Sequence, residues 1–453
     1  MPALPDRHNN QGQMLLSMII AIAIFSILLH ALFTLIASSF DLISFNKTRI
    51  TARHLAQQRV ELIRNLPYDE VATIGGIPNG TLISQNESVE KNGLKYTLKT
   101  DIVFIDDPYD SLAPEDSSPE DYKRVRVEVS WEGLATSRKN PVVLLSDISA
   151  LTTGNLEGGT LIIQVSDANG NPVPQADVTI IADSIIPPVN LTQSTDSEGK
   201  VTLPGATDCV ECYQISVTNE GISGKMSTDK TYSTSEVTNP IKPHASVFSD
   251  QVTQLSFAID TVGDLNITSL NSRENNFAPL GNVSFRLHGN KIIGTDAYAQ
   301  PVYKFDEILT TDGTGSINIS EMEWDVYHVV MPSTTTNDVS ATEPLLPLNL
   351  PPAGNLNFSF AVSPHSDHGF FLRVIDNSQN LIATASAKLY DDLGFEETKY
   401  TGEMGNPDQG QVLFSNLIEE IYHLTVSVDG FANYTNDYSI SGYTQADVVL
   451  TPF

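Results

Sequence analysis

The sequence predicts one long membrane-crossing α-helix, a small α+β head built on its far half, and three all-β sandwiches beyond. Three observations carry this expectation. Met14 to Phe40 is a run of 27 residues without Lys, Arg, Asp or Glu. No Gly or Pro interrupts residues 13–66, and Pro67 supplies the stop. Strand–turn–strand openings then recur near Thr160, Asp264 and Gly369, at offsets of 104 and 105 residues.

Composition sets the bounds. A chain of 453 residues is too long for a single hydrophobic core and divides into about three or more units. With 28 Gly and 25 Pro it is neither collagen-like nor low-complexity. The 25 Lys+Arg against 55 Asp+Glu give a net charge of −30, which argues against nucleic acid as a partner. Two cysteines exclude a disulfide-dense scaffold and a multi-cysteine metal protein. Charge is also sorted: residues 1–66 hold six Lys+Arg and three Asp+Glu, so nearly all the acidity lies beyond them.

The uncharged run covers roughly 40 Å as a helix, more than the ~30 Å hydrocarbon core of a bilayer, and is longer than a signal-peptide core. From Asp41 the helix becomes amphipathic. Leu42, Phe45, Ile50, Leu55, Leu62, Ile63 and Leu66 are interleaved with Lys47, Arg49, Arg53, Arg59 and Arg64. One helix of about 50 residues, half in lipid and half carrying a head, is the economical reading.

A short polar leader ends in Gly12, and Gln13-Met14-Leu15-Leu16-Ser17-Met18-Ile19-Ile20-Ala21-Ile22-Ala23-Ile24-Phe25 follows at once. This segment resembles the prepilin N-terminus of type IV pilins and type II secretion pseudopilins. The resemblance covers residues 1–66 and extends to Arg64-Asn65-Leu66-Pro67-Tyr68-Asp69. It implies processing between Gly12 and Gln13 by a prepilin peptidase, a membrane location, and other pilin or pseudopilin subunits as partners. Two positions depart from the family pattern. Gln13 stands where a Phe is usual, and Ser17 where most members have a Glu that pairs with a neighbouring subunit's amine. Loss of that Glu resembles a tip-like minor subunit; an uncleaved anchor is the competing explanation. The positive-inside count favours a cytoplasmic C-terminus, with Arg7 alone before the span and Lys47, Arg49, Arg53 and Arg59 after it. The pilin-like reading places those bases on an exported half, and that orientation is the expectation.

Residues 67–151 read as a pilin-like β head. In Tyr122–Trp131, Val125, Val127, Val129 and Trp131 share one face, with Arg124, Arg126, Glu128 and Ser130 on the other. Tyr96–Phe104 and Pro141–Leu145 are its expected neighbours. The intervening acidic loop contains Asp106, Asp107 and Asp110, a weak Ca²⁺ candidate. Its alternative is a solvated acidic loop, since EF-hand spacing is missing. No other metal and no cofactor is expected.

Three repeat units follow, expected at 157–262, 263–366 and 367–453. Each opening leads to a Gly-x-β-branched step at Gly199-Lys200-Val201, Gly315-Ser316-Ile317 or Gly410-Gln411-Val412. A strand opened by Tyr213, Tyr327 or Tyr422 comes next. The units close near Leu255-Phe257-Ile259, Phe358-Phe360-Val362 and Val448-Leu450. Short strands at such spacing predict immunoglobulin-like β-sandwiches. Asp167–Val178, Thr195–Gly199 and Cys212-Tyr213 of the first unit resemble the carboxypeptidase regulatory-like, or transthyretin-like, domain, which is an accessory and not a peptidase. Related adhesin repeats join a first-strand Lys to a last-strand Asn. The first strands here hold no Lys, so that bond is not expected.

No G-x-S-x-G, H-E-x-x-H, P-loop or G-x-G-x-x-G arrangement occurs, and the expectation is that the chain is not an enzyme. The four histidine-region residues His365-Ser366-Asp367-His368 lack further clear ligands. Cys209 and Cys212 admit four readings: a redox pair, half a zinc site, a reduced inert pair, or a local disulfide, of which the disulfide best suits an exported domain. The resulting expectation is a minor pilin-like subunit of a type IV-like filament or secretion pseudopilus, displaying its sandwiches at the surface toward a ligand. A stand-alone membrane-anchored adhesin is the alternative.

Overall fold

The computed structural model describes residues 11–107, 111–113, 120–132, 141–150, 158–220, 224–332 and 335–453, the side chains of 11–17, 19 and 21 aside. Helix α1 runs unbroken from Gln11 to Arg64, 54 residues or roughly 80 Å. It already includes Gln11 and Gly12, ahead of the expected start at residue 13, and ends two residues before the expected end.

Its two halves live in different surroundings. The described side chains from Ile22 to Phe40 are all exposed, although this stretch is apolar enough to cross a bilayer. Farther along, Thr48, Ala52, Leu55, Ala56, Val60 and Ile63 are buried, a stripe at 3.6-residue spacing. They lie against a four-stranded antiparallel sheet ordered Asn86–Lys91, Leu94–Ile105, Tyr122–Trp131, Val142–Ser149. Val125, Val127 and Val129 supply its inner face, fully buried as the alternation predicts. The expected apolar face of the helix needs correction, however. Leu42, Ile50 and Leu62 are 56 %, 59 % and 48 % exposed, and the packed stripe instead uses Ala52 and Ala56. Small residues let a helix approach a sheet closely, so the contact line follows size as well as hydropathy.

The first sandwich pairs a sheet ordered Lys200–Ala206, Gly159–Ser166, Val252–Ala258 with one ordered Asp229–Lys230, Cys209–Thr218, Asp177–Ala182, Val189–Ser194. The second opposes Ser316–Met322, Gly263–Asn271, Asn355–Pro364, Asn337–Glu343 to Asp306–Thr310, Ser284–His288, Asp325–Val330, Leu348–Leu350. In the third, Gln411–Phe414, Gly369–Asp376, Tyr443–Leu450 face Glu396–Tyr400, Ser386–Tyr390, Glu420–Ser427, Tyr434–Ile440. In every unit the last strand lies parallel to the first. The two strands of each opening belong to opposite sheets, so the polar turn between them crosses the core instead of making a hairpin.

The repeat extends to single hydrogen bonds. Tyr213, Tyr327 and Tyr422 are at most 1 % exposed. Their hydroxyls donate to Thr207 O and Glu323 O at 2.7 Å in the first two, and accept from Ile418 N at 3.1 Å in the third. Thr195, Thr311 and Thr401 are buried hydroxyls that accept from Ala176 N, Val283 N and Ala385 N. Gly199, Gly315 and Gly410 have φ between +66° and +82°, and their carbonyls accept from the first strand at Val165 N, Ser269 N and Val374 N. At Gly199 a Cβ would stand 2.4 Å from Val165 O, so glycine is required twice over, by φ and by space.

Candidate functional site

The chemistry the fold displays is that of an anchor and of joints between units. The head meets the first sandwich through Ile77, which is 2 % exposed and belongs to that sandwich's core. Gly75 O accepts from Asn190 N at 2.7 Å, and Asn79 Nδ2 donates to Pro187 O at 2.7 Å. A strap from the first sandwich, Asn239–Pro240, then pairs with Ile292–Thr295 of the second and continues to Pro301–Tyr303. Beside it Glu323 is shared by Lys291 at 2.8 Å and Lys304 at 2.7 Å. Lys304 Nζ also donates to Thr228 O of the first sandwich at 2.6 Å. Burial pushes the Lys291 ammonium below its ordinary pKa, against the pull of Glu323.

The joint between the second and third sandwiches is sealed by side chains that mimic a strand. Asn337–Glu343 is an edge strand, paired on one side only. On its open side Gln411, 1 % exposed, accepts from Thr342 N at 3.0 Å and donates to Thr342 O at 2.9 Å. Tyr443 donates to Val339 O at 2.6 Å along the same edge. Arg373 Nη1 donates to Leu346 O at 3.0 Å while its other nitrogens hold Asp447. Across the joint Arg273 reaches Asp408 at 2.6 Å and Tyr400 O at 2.9 Å. Sequence reading missed all of these, since a lone Gln or Arg on a strand carries no sign of which neighbour it will meet.

A cavity of about 450 Å³ opens at this joint, lined by Val329, Met331, Leu346, Phe371, Arg373 and Tyr443 among others. On its rim His365 Nδ1 lies 2.8 Å from Asp338 Oδ1, and Asp338 Oδ2 accepts Ser366 N at 2.8 Å. That hydrogen bond, and then the Asp338 charge, hold the imidazole above its ordinary pKa. Ser366 Oγ donates to His368 O at 2.6 Å, so the segment is tied up structurally, with no nucleophile–base pair.

The sequence-singled residues fall apart in space. Gly12, Gln13 and Ser17 lie within the first turns of α1. Cys209 and Cys212 stand side by side at the start of the Cys209–Thr218 strand, their Cα atoms 5.9 Å apart. Asp106 Oδ2 accepts Ala113 N at 2.8 Å, and Asp107 N donates to Asp121 Oδ2 at 2.6 Å; Asp110 lies outside the described residues. Among the described residues, no group of three or more His, Cys, Asp or Glu is placed to hold a metal ion.

No family model matches the chain, and no curated protein matches it. Solved structures do. The Bacillus anthracis TIE protein is 12 % identical over 82 % of this chain and 74 % of that one, with a TM-score of 0.18. Shaft pilin SpaA from Lactobacillus rhamnosus GG is 12 % identical over 43 % of this chain and 98 % of its own, TM-score 0.18. GBS52, the minor pilin of Streptococcus agalactiae, is 13 % identical over 42 % and 96 %, TM-score 0.18. TM-scores this low leave the fold resting on the chain's own helix and sheets.

Proposed function

We propose that the chain is a membrane-anchored, pilin-like surface subunit, whose helix inserts in a bilayer and whose head and three sandwiches stand outside as a jointed stalk. The observation that carries this is the division of α1. One unbroken helix is apolar and wholly exposed from Ile22 to Phe40, then buried along one stripe from Thr48 to Ile63. Water does not tolerate the first half, and a bilayer does. The acidic sandwiches repel one another and stay soluble, as display modules require.

The finer reading is a minor subunit of a type IV-like filament or secretion pseudopilus, processed between Gly12 and Gln13 by a prepilin peptidase. Ser17 in place of Glu favours a tip-like position, because it cannot neutralise the amine of a preceding subunit. The second reading is an uncleaved, stand-alone anchor, in which α1 keeps Gln11 and Gly12. N-terminal mass spectrometry of the membrane-bound protein separates them. The filament reading expects a chain beginning at Gln13, with processing lost when the peptidase is deleted. An intact N-terminus in both backgrounds contradicts it. The cysteine pair is proposed as a local disulfide, and neither an enzymatic activity nor a cofactor is assigned.

A further inference from the structure

The base of the head concentrates uncompensated positive charge in an otherwise acidic protein. All ten Lys and Arg between residues 225 and 453 have a carboxylate partner within 4 Å. Lys47, Arg49, Arg53, Lys91 and Lys95 are exposed and, among the described residues, have none. Among the other described residues only Lys200 and the buried Lys123, whose Nζ donates to Tyr68 O, lack a carboxylate within 4 Å.

Four of these five bases gather at one end of the head, and Arg53 follows about 6 Å farther along the helix than Arg49. Lys47 lies about 10 Å and Arg49 about 14 Å along the helix beyond Phe40, the last residue of the uncharged run. The Phe45 and Trp131 rings are 6.1 Å apart, and Trp131 lies 6.5 Å from Tyr96. That contact sets the Trp131 end of the sheet level with residue 45 of the helix. The same end carries the hairpin in which Lys91 pairs with Leu94, while Lys95 O accepts Glu132 N. At the opposite end Lys123 meets Tyr68, just past the helix terminus. The Trp131 end of the head therefore faces the bilayer that receives Ile22–Phe40. Among the described residues Asp41, Glu90 and Glu132 are the acidic residues here, three against five bases, whereas the chain as a whole carries −30.

We propose that this end of the head, through Lys47, Arg49, Arg53, Lys91 and Lys95 around Trp131, binds the headgroups of anionic phospholipids. The inference rests on the membrane-anchored reading above. Long basic side chains reach down several ångströms to phosphates, and an indole prefers the interfacial layer. Unpaired bases held at a lipid surface gain where the headgroups are anionic. Contact with headgroups would also hold the stalk upright, because the sheet is packed rigidly on the helix that crosses the membrane.

The test uses the full chain reconstituted in phosphatidylcholine vesicles containing a small, equal fraction of dansyl-labelled phosphatidylglycerol or dansyl-labelled phosphatidylcholine. Energy transfer from tryptophan reads which lipid gathers at the head. The expected result is transfer to the anionic probe about fivefold or more above the neutral one, abolished by high salt. K47Q/R49Q/R53Q/K91Q/K95Q should bring the ratio to one while the chain still floats with the vesicles; K200Q should change nothing. Equal transfer to both probes in a vesicle-bound wild-type chain overturns the proposal. So does a neutralised variant that keeps its preference, or one that loses self-association in place of lipid preference, which would assign the bases to a second copy. A wild-type chain that fails to float with neutral vesicles overturns the membrane reading itself, a result distinct from the others.

Discussion

Replacing Gln411 with Leu should loosen the second and third sandwiches from each other without unfolding either. Gln411 is 1 % and Thr342 3 % exposed, so water does not reach the groups that the amide serves. The substitution keeps the side-chain volume nearly constant but orphans Thr342 N and Thr342 O, now held at 3.0 and 2.9 Å. A buried backbone group left unpaired costs about 1–3 kcal/mol, and the added apolar contact returns a methylene's worth, about 1 kcal/mol. With both groups orphaned the joint should therefore weaken by about 1–5 kcal/mol, raising its open population by a factor of roughly 5 to 5,000. Hydrogen exchange of the detergent-solubilised chain reads this directly at the Thr342 amide. Exchange there should accelerate by that factor, while amides in the two cores, such as Phe285 and Leu389, stay as protected as before. Gln411 Nε2 also approaches Pro407 O and Gln409 O of its own sandwich, at 3.3 and 3.4 Å. Faster exchange at Leu389 with none at Thr342 would show that Gln411 serves its own unit, and would refute the strand-mimic account of the joint.

Three further outcomes follow from local geometry. Tyr327→Phe removes the hydroxyl that donates to Glu323 O and should cost the second sandwich about 1–2 kcal/mol in chemical denaturation, with no effect on the other two. Gly294→Ala would set a Cβ 2.4 Å from Asn239 O, so the strap should detach and residues 238–243 become sensitive to limited proteolysis. Lys123 is 2 % exposed, 4.4 Å from the Tyr68 ring centroid, and burial pushes its ammonium down to about 8. The unfolded chain binds that proton up to the ordinary lysine range, so head stability should rise with pH above about 8 and be lost as pH falls through it. The gain is at most about 3 kcal/mol when complete. Trp131 fluorescence in urea should show the slope between about pH 8 and 10.5, and Lys123→Met should flatten it.

What the sequence made legible and what it did not divide along physical lines. The helix was readable because nothing between residues 13 and 66 can break it and Pro67 does. Its packed face was not, because Ala52 and Ala56 have little hydropathy while the exposed Ile50 has much. The strands Tyr122–Trp131, Val252–Ala258, Asn355–Pro364 and Tyr443–Leu450 were readable through period-2 alternation, and the three tyrosines through their spacing. That each closing strand runs parallel to its opening strand is a long-range property that no local pattern encodes. The Asn239–Pro240 strap is two residues long and includes a proline, which local reading assigns to loop. Gln411 was visible only as the middle residue of a Gly-x-β-branched step; its function depends on an edge strand some seventy residues earlier in the chain.

The side of the membrane on which the sandwiches stand is the claim on which the functional account depends most. Protease applied to intact cells, with fragments of the chain identified by mass spectrometry, measures it directly. Peptides from residues 225–453 should be released from unbroken cells, leaving a membrane-embedded remnant that contains Ile22–Phe40. Full protection of those residues in intact cells, with cleavage only after the membrane is opened, would place the sandwiches in the cytoplasm, as the basic residues following the span would then have indicated, and would contradict the account.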